Sequence, residues 1–167
     1  ERHLARCIAS VRGVVTEILV ADSFSSDGTL EIARSHGARC VQHAWVNYAT
    51  QFNWALTQLD ADTDWVLRID ADEVLTPELA AEIKARLPGI GPEIDGVYCG
   101  RRMAFQRRLI RHGGVFPVRV LRLFRYAYGL RDLKLYDDLE QDVLSGMFED
   151  LLVAQLVREA KHLLARG

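Results

Sequence analysis

The chain has 167 residues, 49% of them hydrophobic and 26% charged, with a formal net charge of −2. Those proportions belong to an ordinary folded domain and exclude a disordered, collagen-like or disulfide-dense chain. At this length roughly 70% of the unfolded surface can be buried, enough for a core without covalent staples.

Residues 3–12 (HLARCIASVR) place Leu4, Cys7, Ile8 and Val11 at helical spacing. Residues 17–21 (EILVA) form a short apolar run that reads as a buried strand. A polar turn, DSFSSDGT, follows it and leads into a helix over 29–36, with Asp27 or Thr29 as its cap. Gly37 stops that helix, and ARCVQHA reads as a second strand. Residues 47–59 suit an amphipathic helix, and 65–69 (WVLRI) a third strand that runs straight into DADE. Thr76-Pro77-Glu78 opens a helix reaching about Arg86, with proline at its first position. Pro88, Gly89, Gly91 and Pro92 mark a loop. Residues 96–104 and 117–125 read as strands flanking a basic segment. Residues 137–165 read as helical, with a break near Gly146 and an apolar face formed by Leu144, Phe148, Leu151, Leu152 and Leu156. That face suits core or dimer packing, or contact with a membrane surface.

Strands alternating with helices predict an α/β domain with a mostly parallel central sheet. Ligands of such sheets bind beyond the carboxyl ends of the strands, and both acidic clusters, Asp22–Asp27 and Asp70–Glu73, lie immediately after strands. Cys7, Cys40 and Cys99 are widely spaced and form no zinc pattern, so they read as reduced, mostly buried thiols of a cytoplasmic protein. No apolar run approaches the ~20 residues that span a bilayer.

The net charge conceals a strong partition. Residues 1–95 carry 8 basic and 15 acidic side chains; residues 96–131 carry nine Arg and no acid; residues 132–167 carry 4 basic and 8 acidic side chains. This pattern predicts an anion-handling region beside a cation-handling one. Nucleic acid is a poor fit, because the acids of the first half repel a phosphate backbone and no nucleic-acid motif is present.

Two motifs carry the candidate chemistry. Asp70-Ala71-Asp72-Glu73 offers carboxylates at i and i+2 that can converge on a hard cation, Mg2+ or Mn2+. Read alone, it serves equally as solvated acids near the helix that starts at Pro77. Asp22 through Thr29 offers a strand-end carboxylate for a base or ribose, and backbone N–H groups entering a helix. Read alone, it is equally a capped turn. Trp45, Trp54 and Trp65 read as core, with sugar stacking as the alternative.

Taken together, three stretches resemble a known family: EILVADSFSSDGTLEIARSHGARC, NWALTQLDADTDWVLRIDADEVLTPEL and RRMAFQRRLIRHGGVFPVRVLRLFR. Over roughly residues 1–125 the chain is similar to the family 2 glycosyltransferases of the GT-A fold, with its Rossmann-like nucleotide-binding domain. The subgroup it most resembles comprises bacterial enzymes of lipopolysaccharide-core and related cell-envelope glycan synthesis. The resemblance implies metal-dependent, inverting transfer of a sugar from a nucleotide-diphosphate sugar, such as a UDP-sugar, to a glycan or lipid-linked hydroxyl. A non-catalytic sugar-nucleotide or polyanion-binding scaffold of the same fold is the alternative. Localisation is expected in the cytoplasm, at the inner face of the membrane, with a homodimer as one possible assembly.

By the same resemblance, Asp22 and Ser23 match the nucleotide-contacting turn, and Asp27 organises it. Asn53 belongs to the helix before the third strand. Asp70 and Asp72 match the DXD pair, with Asp72 as the direct metal ligand and Asp70 as a ribose or diphosphate contact and second metal candidate. Arg101 and Arg102 open the basic segment that the family places near donor and acceptor. Two family features are not found: an apolar first strand ending in Asn-Glu, and a His-Glu or Glu-Asp segment after RLFR that holds the catalytic base. The expectation is a piece trimmed from a longer chain, with a seam near residues 125–126 and a separate helical segment over 126–167. Asp132, Asp137, Asp138 and Glu140 remain as acids without the familiar context, so no catalytic base is named.

Overall fold

The structure, a computed structural model, describes residues 1–105, 108–110, 118–131 and 151–157. In chain order the elements are α1 (Leu4–Val11), β1 (Glu17–Asp22), α2 (Thr29–Ser35), β2 (Arg39–Gln42), α3 (Tyr48–Leu56), β3 (Thr63–Asp70) and α4 (Pro77–Arg86). A single 3-10 turn (Leu87–Gly89) follows, then β4 (Gly96–Arg101), the short pair β5 (Ala104–Phe105) and β6 (Arg108–Leu109), β7 (Val118–Arg125), α5 (Tyr126–Arg131) and β8 (Leu151–Val157).

Local chemistry explains the boundaries. The Asn47 side chain accepts from Thr50 N at 2.7 Å and starts α3. Thr76 Oγ1 accepts from Leu79 N at 3.3 Å, and Pro77 occupies the first turn of α4, where its missing N–H costs nothing. Gly37 leaves α2 with φ +77°, a left-handed conformation that side chains disfavour.

The main sheet has the order β2-β1-β8-β3-β7-β4. β1 and β2 pair in parallel; β8 lies antiparallel to β1 and β3, and β7 antiparallel to β3 and β4. Four of the six strands (β1, β2, β3 and β4) therefore point one way, while β7 and β8 run against them. Alternate residues of each central strand enter two cores. Ile18, Val20, Trp65, Leu67 and Ile69 pack with Leu4, Cys7, Ile8 and Val11 of α1 and with Ile83 of α4. Leu19, Ala21 and Val66 pack on the other face with Phe52, Ala55 and Leu56 of α3 and with Tyr126. Burial on both faces is why β1 and β3 read as continuous apolar runs rather than alternating ones.

One expectation is corrected. Residues 151–157 lie in the region expected to be helical, yet they form β8 in the middle of the sheet. Leu-Leu-Val-Ala-Gln-Leu-Val is apolar enough for either state, and tertiary context decides. The facing edges of β1 and β3 offer two unfilled rows of backbone groups, and a strand placed there satisfies both. The rest of 132–167, including Leu144, Phe148 and Gly146, lies outside the described residues. Among the described residues no helix is long and apolar enough to cross a membrane.

Candidate functional site

Leu151 of β8 pairs with Ala21 on one side and with Asp70 on the other. The carboxyl ends of β1 and β3 therefore stand level at one edge of the sheet, one strand apart. Both acidic motifs sit on that edge, as the strand-end placement in the sequence predicts.

Asp22 ends β1 with no exposed surface. Ser25 N donates to its Oδ1 at 3.3 Å and to its Oδ2 at 3.1 Å, and Gln42 Nε2 donates to Oδ2 at 2.9 Å. The carboxylate thereby folds the turn back on itself and ties β2 to β1. Phe24, inside that turn, has φ +61° and is 61% exposed. Asp27 Oδ1 accepts from Thr29 N at 3.0 Å, and hydrogen bonds with Thr29 hold its carboxyl below the usual range. Asp27 thus organises the entry to α2.

A second polar chain braces this turn from α3. Gln51 is 1% exposed; its Nε2 donates to Ser23 Oγ at 3.2 Å, and its Oε1 lies 2.9 Å from His43 Nδ1. His43 stacks on Trp54 with ring centroids 4.5 Å apart. Asn53 is half-buried on α3. Of the three tryptophans, Trp65 is core and Trp54 half-buried, whereas Trp45 is 40% exposed and meets Tyr48 edge-on.

At the end of β3 the two aspartates divide. Arg122 Nη2 donates to Asp70 Oδ2 at 2.9 Å and to Glu73 Oε1 at 2.5 Å. Arg68 Nη2 lies 3.8 Å from Asp70 Oδ1. Glu73 Oε2 accepts from Asp70 N at 3.1 Å, and Glu73 N donates to Asp70 O at 2.8 Å, closing the turn. Burial raises the Asp70 carboxyl, but Arg122 and Arg68 outweigh it and leave it below the ordinary value. Glu73 is left above its ordinary value by burial, assisted by Asp70, despite the pull of Arg122. Asp72 is different: no hydrogen bond or ion pair engages its carboxylate among the described residues, and only its backbone oxygen is held, by Arg6.

Sequence reasoning missed Arg122, Glu73, Gln42 and Gln51. Arg122 stands in the quoted RLFR stretch, but only its partners reveal its role. The described arginines of the nine-Arg segment do not form one patch. Arg101 is half-buried at the end of β4 and its charge reaches Asp70, whereas Arg102 is exposed and its charge reaches Glu78. Arg119 is exposed on β7. Arg125 lies over the Trp65 ring at 4.6 Å and donates to the carbonyls of Ile90, Gly91 and Ile94, which makes it a structural clamp. Arg107, Arg111, His112, Asp132, Asp137, Asp138, Glu140 and the side chains of Arg108 and Arg131 lie outside the described residues.

The donor set suits one kind of metal site and not another. Among the described residues no group of three or more His, Cys, Asp and Glu could cage an ion. A turn offering one unengaged carboxylate, with a second held beside it, fits a hard cation that keeps waters and takes its remaining oxygens from a diphosphate.

A mixed α/β sheet with two acidic turns level at one strand edge defines a class of domain whose ligands bind beyond the carboxyl ends of the strands. Within that class the chain belongs to glycosyl transferase family 2, whose match covers residues 1–139. It is 34% identical over 142 residues to the lipopolysaccharide core biosynthesis glycosyltransferase LpsC of Rhizobium meliloti, covering 80% of this chain and 50% of that protein. It is 40% identical over 84 residues to an uncharacterized glycosyltransferase of Rickettsia typhi, covering 50% of this chain and 28% of that one. It is also 34% identical over 147 residues to a TPR repeat-containing protein of Synechococcus elongatus, covering 86% and 34%. In these three pairings the matched region amounts to between 28% and 50% of the relative's length. No solved structure matches it.

Proposed function

We propose that this domain binds a nucleotide-diphosphate sugar with Mg2+ or Mn2+ and transfers the sugar, with inversion, to a hydroxyl of a cell-envelope glycan or lipid-linked acceptor. The observation that carries the reading is the level placement of the Asp22 turn and the Asp70–Glu73 turn, with the Asp72 carboxylate unengaged among the described residues. Family membership and the similarity to a protein named for lipopolysaccharide core biosynthesis support it.

In this reading Asp72 supplies the oxygen ligand to the cation, which when bound neutralises the diphosphate leaving group. Arg101 adds countercharge, and the arginine fork suits phosphate oxygens. Arg102, Ser23, Asp27 and Asn53 belong to the same donor region. Asp22 has one unused acceptor position, on Oδ1, because Ser25 and Gln42 take the others. A base N–H reaches it only once that oxygen is uncovered. The acceptor hydroxyl must lose a proton as its oxygen bonds the anomeric carbon and the carbon–phosphate oxygen bond breaks. The described residues present no base assigned to that proton. In this reading the enzyme works at the cytoplasmic face of the membrane, where it would meet a lipid-linked acceptor.

Thermal melting with UDP, Mn2+ and both together tests the proposal. At a free ligand concentration of 100 Kd, binding stabilises by about 2.7 kcal/mol. For a domain of this size that raises Tm by roughly 5–10 °C. Asp72→Ala removes the metal-dependent part. No shift with any nucleoside diphosphate, with or without metal, overturns the reading.

A further inference from the structure

Arg122 occupies an unusual place in its strand. On β4, Val97 pairs with Leu123 and the next residue, Tyr98, pairs with Leu121, so Arg122 is the extra residue of a β-bulge with no partner opposite. On the other side, β7 pairs with β3 from Trp65↔Arg125 to Leu67↔Leu123. The pairing with β3 places Arg122 on the sheet face of Phe124 and Val66, the face to which alternation also assigns Asp70. Arg122 is 8% exposed there and contacts both Asp70 and Glu73. Such a group is held in place by its two carboxylates, because an unpaired buried charge is costly.

We propose that Arg122 is a positioning residue that acts as the turn's built-in counter-cation. It ties down Asp70 and Glu73 so that Asp72 alone is offered to a divalent metal, and the metal binds well only when it arrives with the diphosphate. Without that countercharge the Asp70 and Glu73 carboxylates would add negative charge beside Asp72 and draw the bare ion, competing with productive loading. The inference rests on the donor-site reading above, but its test separates from that one.

The experiment measures Mn2+ affinity of the whole chain by calorimetry and by loss of the free-Mn2+ paramagnetic signal, with and without UDP. Wild type should bind Mn2+ alone weakly and much more tightly with UDP. Arg122→Gln should bind Mn2+ alone at least tenfold more tightly than wild type, because Asp70 and Glu73 are released. Adding Asp70→Asn should abolish that gain. A residue needed only for folding would lower metal binding or leave it unchanged, and either result with the folded Arg122→Gln protein overturns the proposal. Circular dichroism verifies folding. If Arg122→Gln does not fold, Arg122→Lys replaces it, since one ammonium cannot bridge both carboxylates with a planar fork. That variant should gain at least threefold for Mn2+ alone, and no gain overturns the proposal. Failure of wild type to respond to UDP with Mn2+ would instead overturn the donor-site reading and leave this comparison intact.

Discussion

Phe52 shows how the core beneath the site can be weighed. It is 1% exposed on α3, meets Phe124 of β7 edge-on at 5.9 Å and 74°, and has the Arg68 guanidinium 5.2 Å from its ring centre. Burying an aromatic side chain of about 150 Å2 at about 25 cal/mol per Å2 is worth about 4 kcal/mol. The edge-on pair adds about 1 kcal/mol, and the cation over the ring about 0.5–1 kcal/mol. Partial collapse of the cavity offsets some of this, so Phe52→Ala should cost about 4 kcal/mol, within the range found for such truncations. Phe52→Leu keeps most of the volume and loses the ring terms, and should cost about 1.5 kcal/mol. Urea denaturation followed by circular dichroism gives both numbers, and the alanine variant should lower Tm by roughly 8–16 °C. Equal costs for the two variants, or a cost below about 2 kcal/mol for alanine, would refute this account of the packing around β3.

Three further outcomes follow from other parts of the fold. Asp70 titrates below its ordinary value, so its contribution to stability is complete above the unfolded value of about 3.9 and is lost as pH falls through the folded value. Asp70→Asn should flatten the acid limb of the urea midpoint below pH ~4, and identical limbs would contradict the Arg122 and Arg68 contacts. Glu73 titrates above its ordinary value and acts in the opposite sense, which tempers the wild-type slope. Gly37 has φ +77° with no atom within 4 Å of an added Cβ, so Gly37→Ala should cost about 1 kcal/mol from backbone strain alone, measured by thermal melting. Burial pushes the Cys7 thiol up to about 12, so native Cys7 should resist iodoacetamide at pH 8. Mass spectrometry showing Cys7 alkylated before the half-buried Cys99 would place α1 off the sheet.

The residues reveal most of the framework because its signals are local. β1 and β3 are short apolar runs ending in an aspartate, and α4 announces itself with Thr76-Pro77. What stayed hidden depends on partners distant in sequence. Leu151–Val157 becomes a strand because β1 and β3 leave a gap of one strand's width, a fact absent from the segment itself. Arg122 acts at the site only because β7 pairs beside β3 and brings it there from 52 residues beyond Asp70. Composition likewise cannot tell whether a strand-end carboxylate faces solvent or closes its own turn. Asp22 does the latter, whereas among the described residues nothing engages the Asp72 carboxylate.

The central position of β8 has a consequence for size selection. Neighbouring strands lie about 4.8 Å apart, so inserting one between β1 and β3 sets their ends about 10 Å apart. The sheet thus works as a ruler. On the proposed donor reading, a ligand that engages both strand ends must span that width, which a nucleoside diphosphate does and a lone phosphate does not, so the width of one strand sets the reach the site demands.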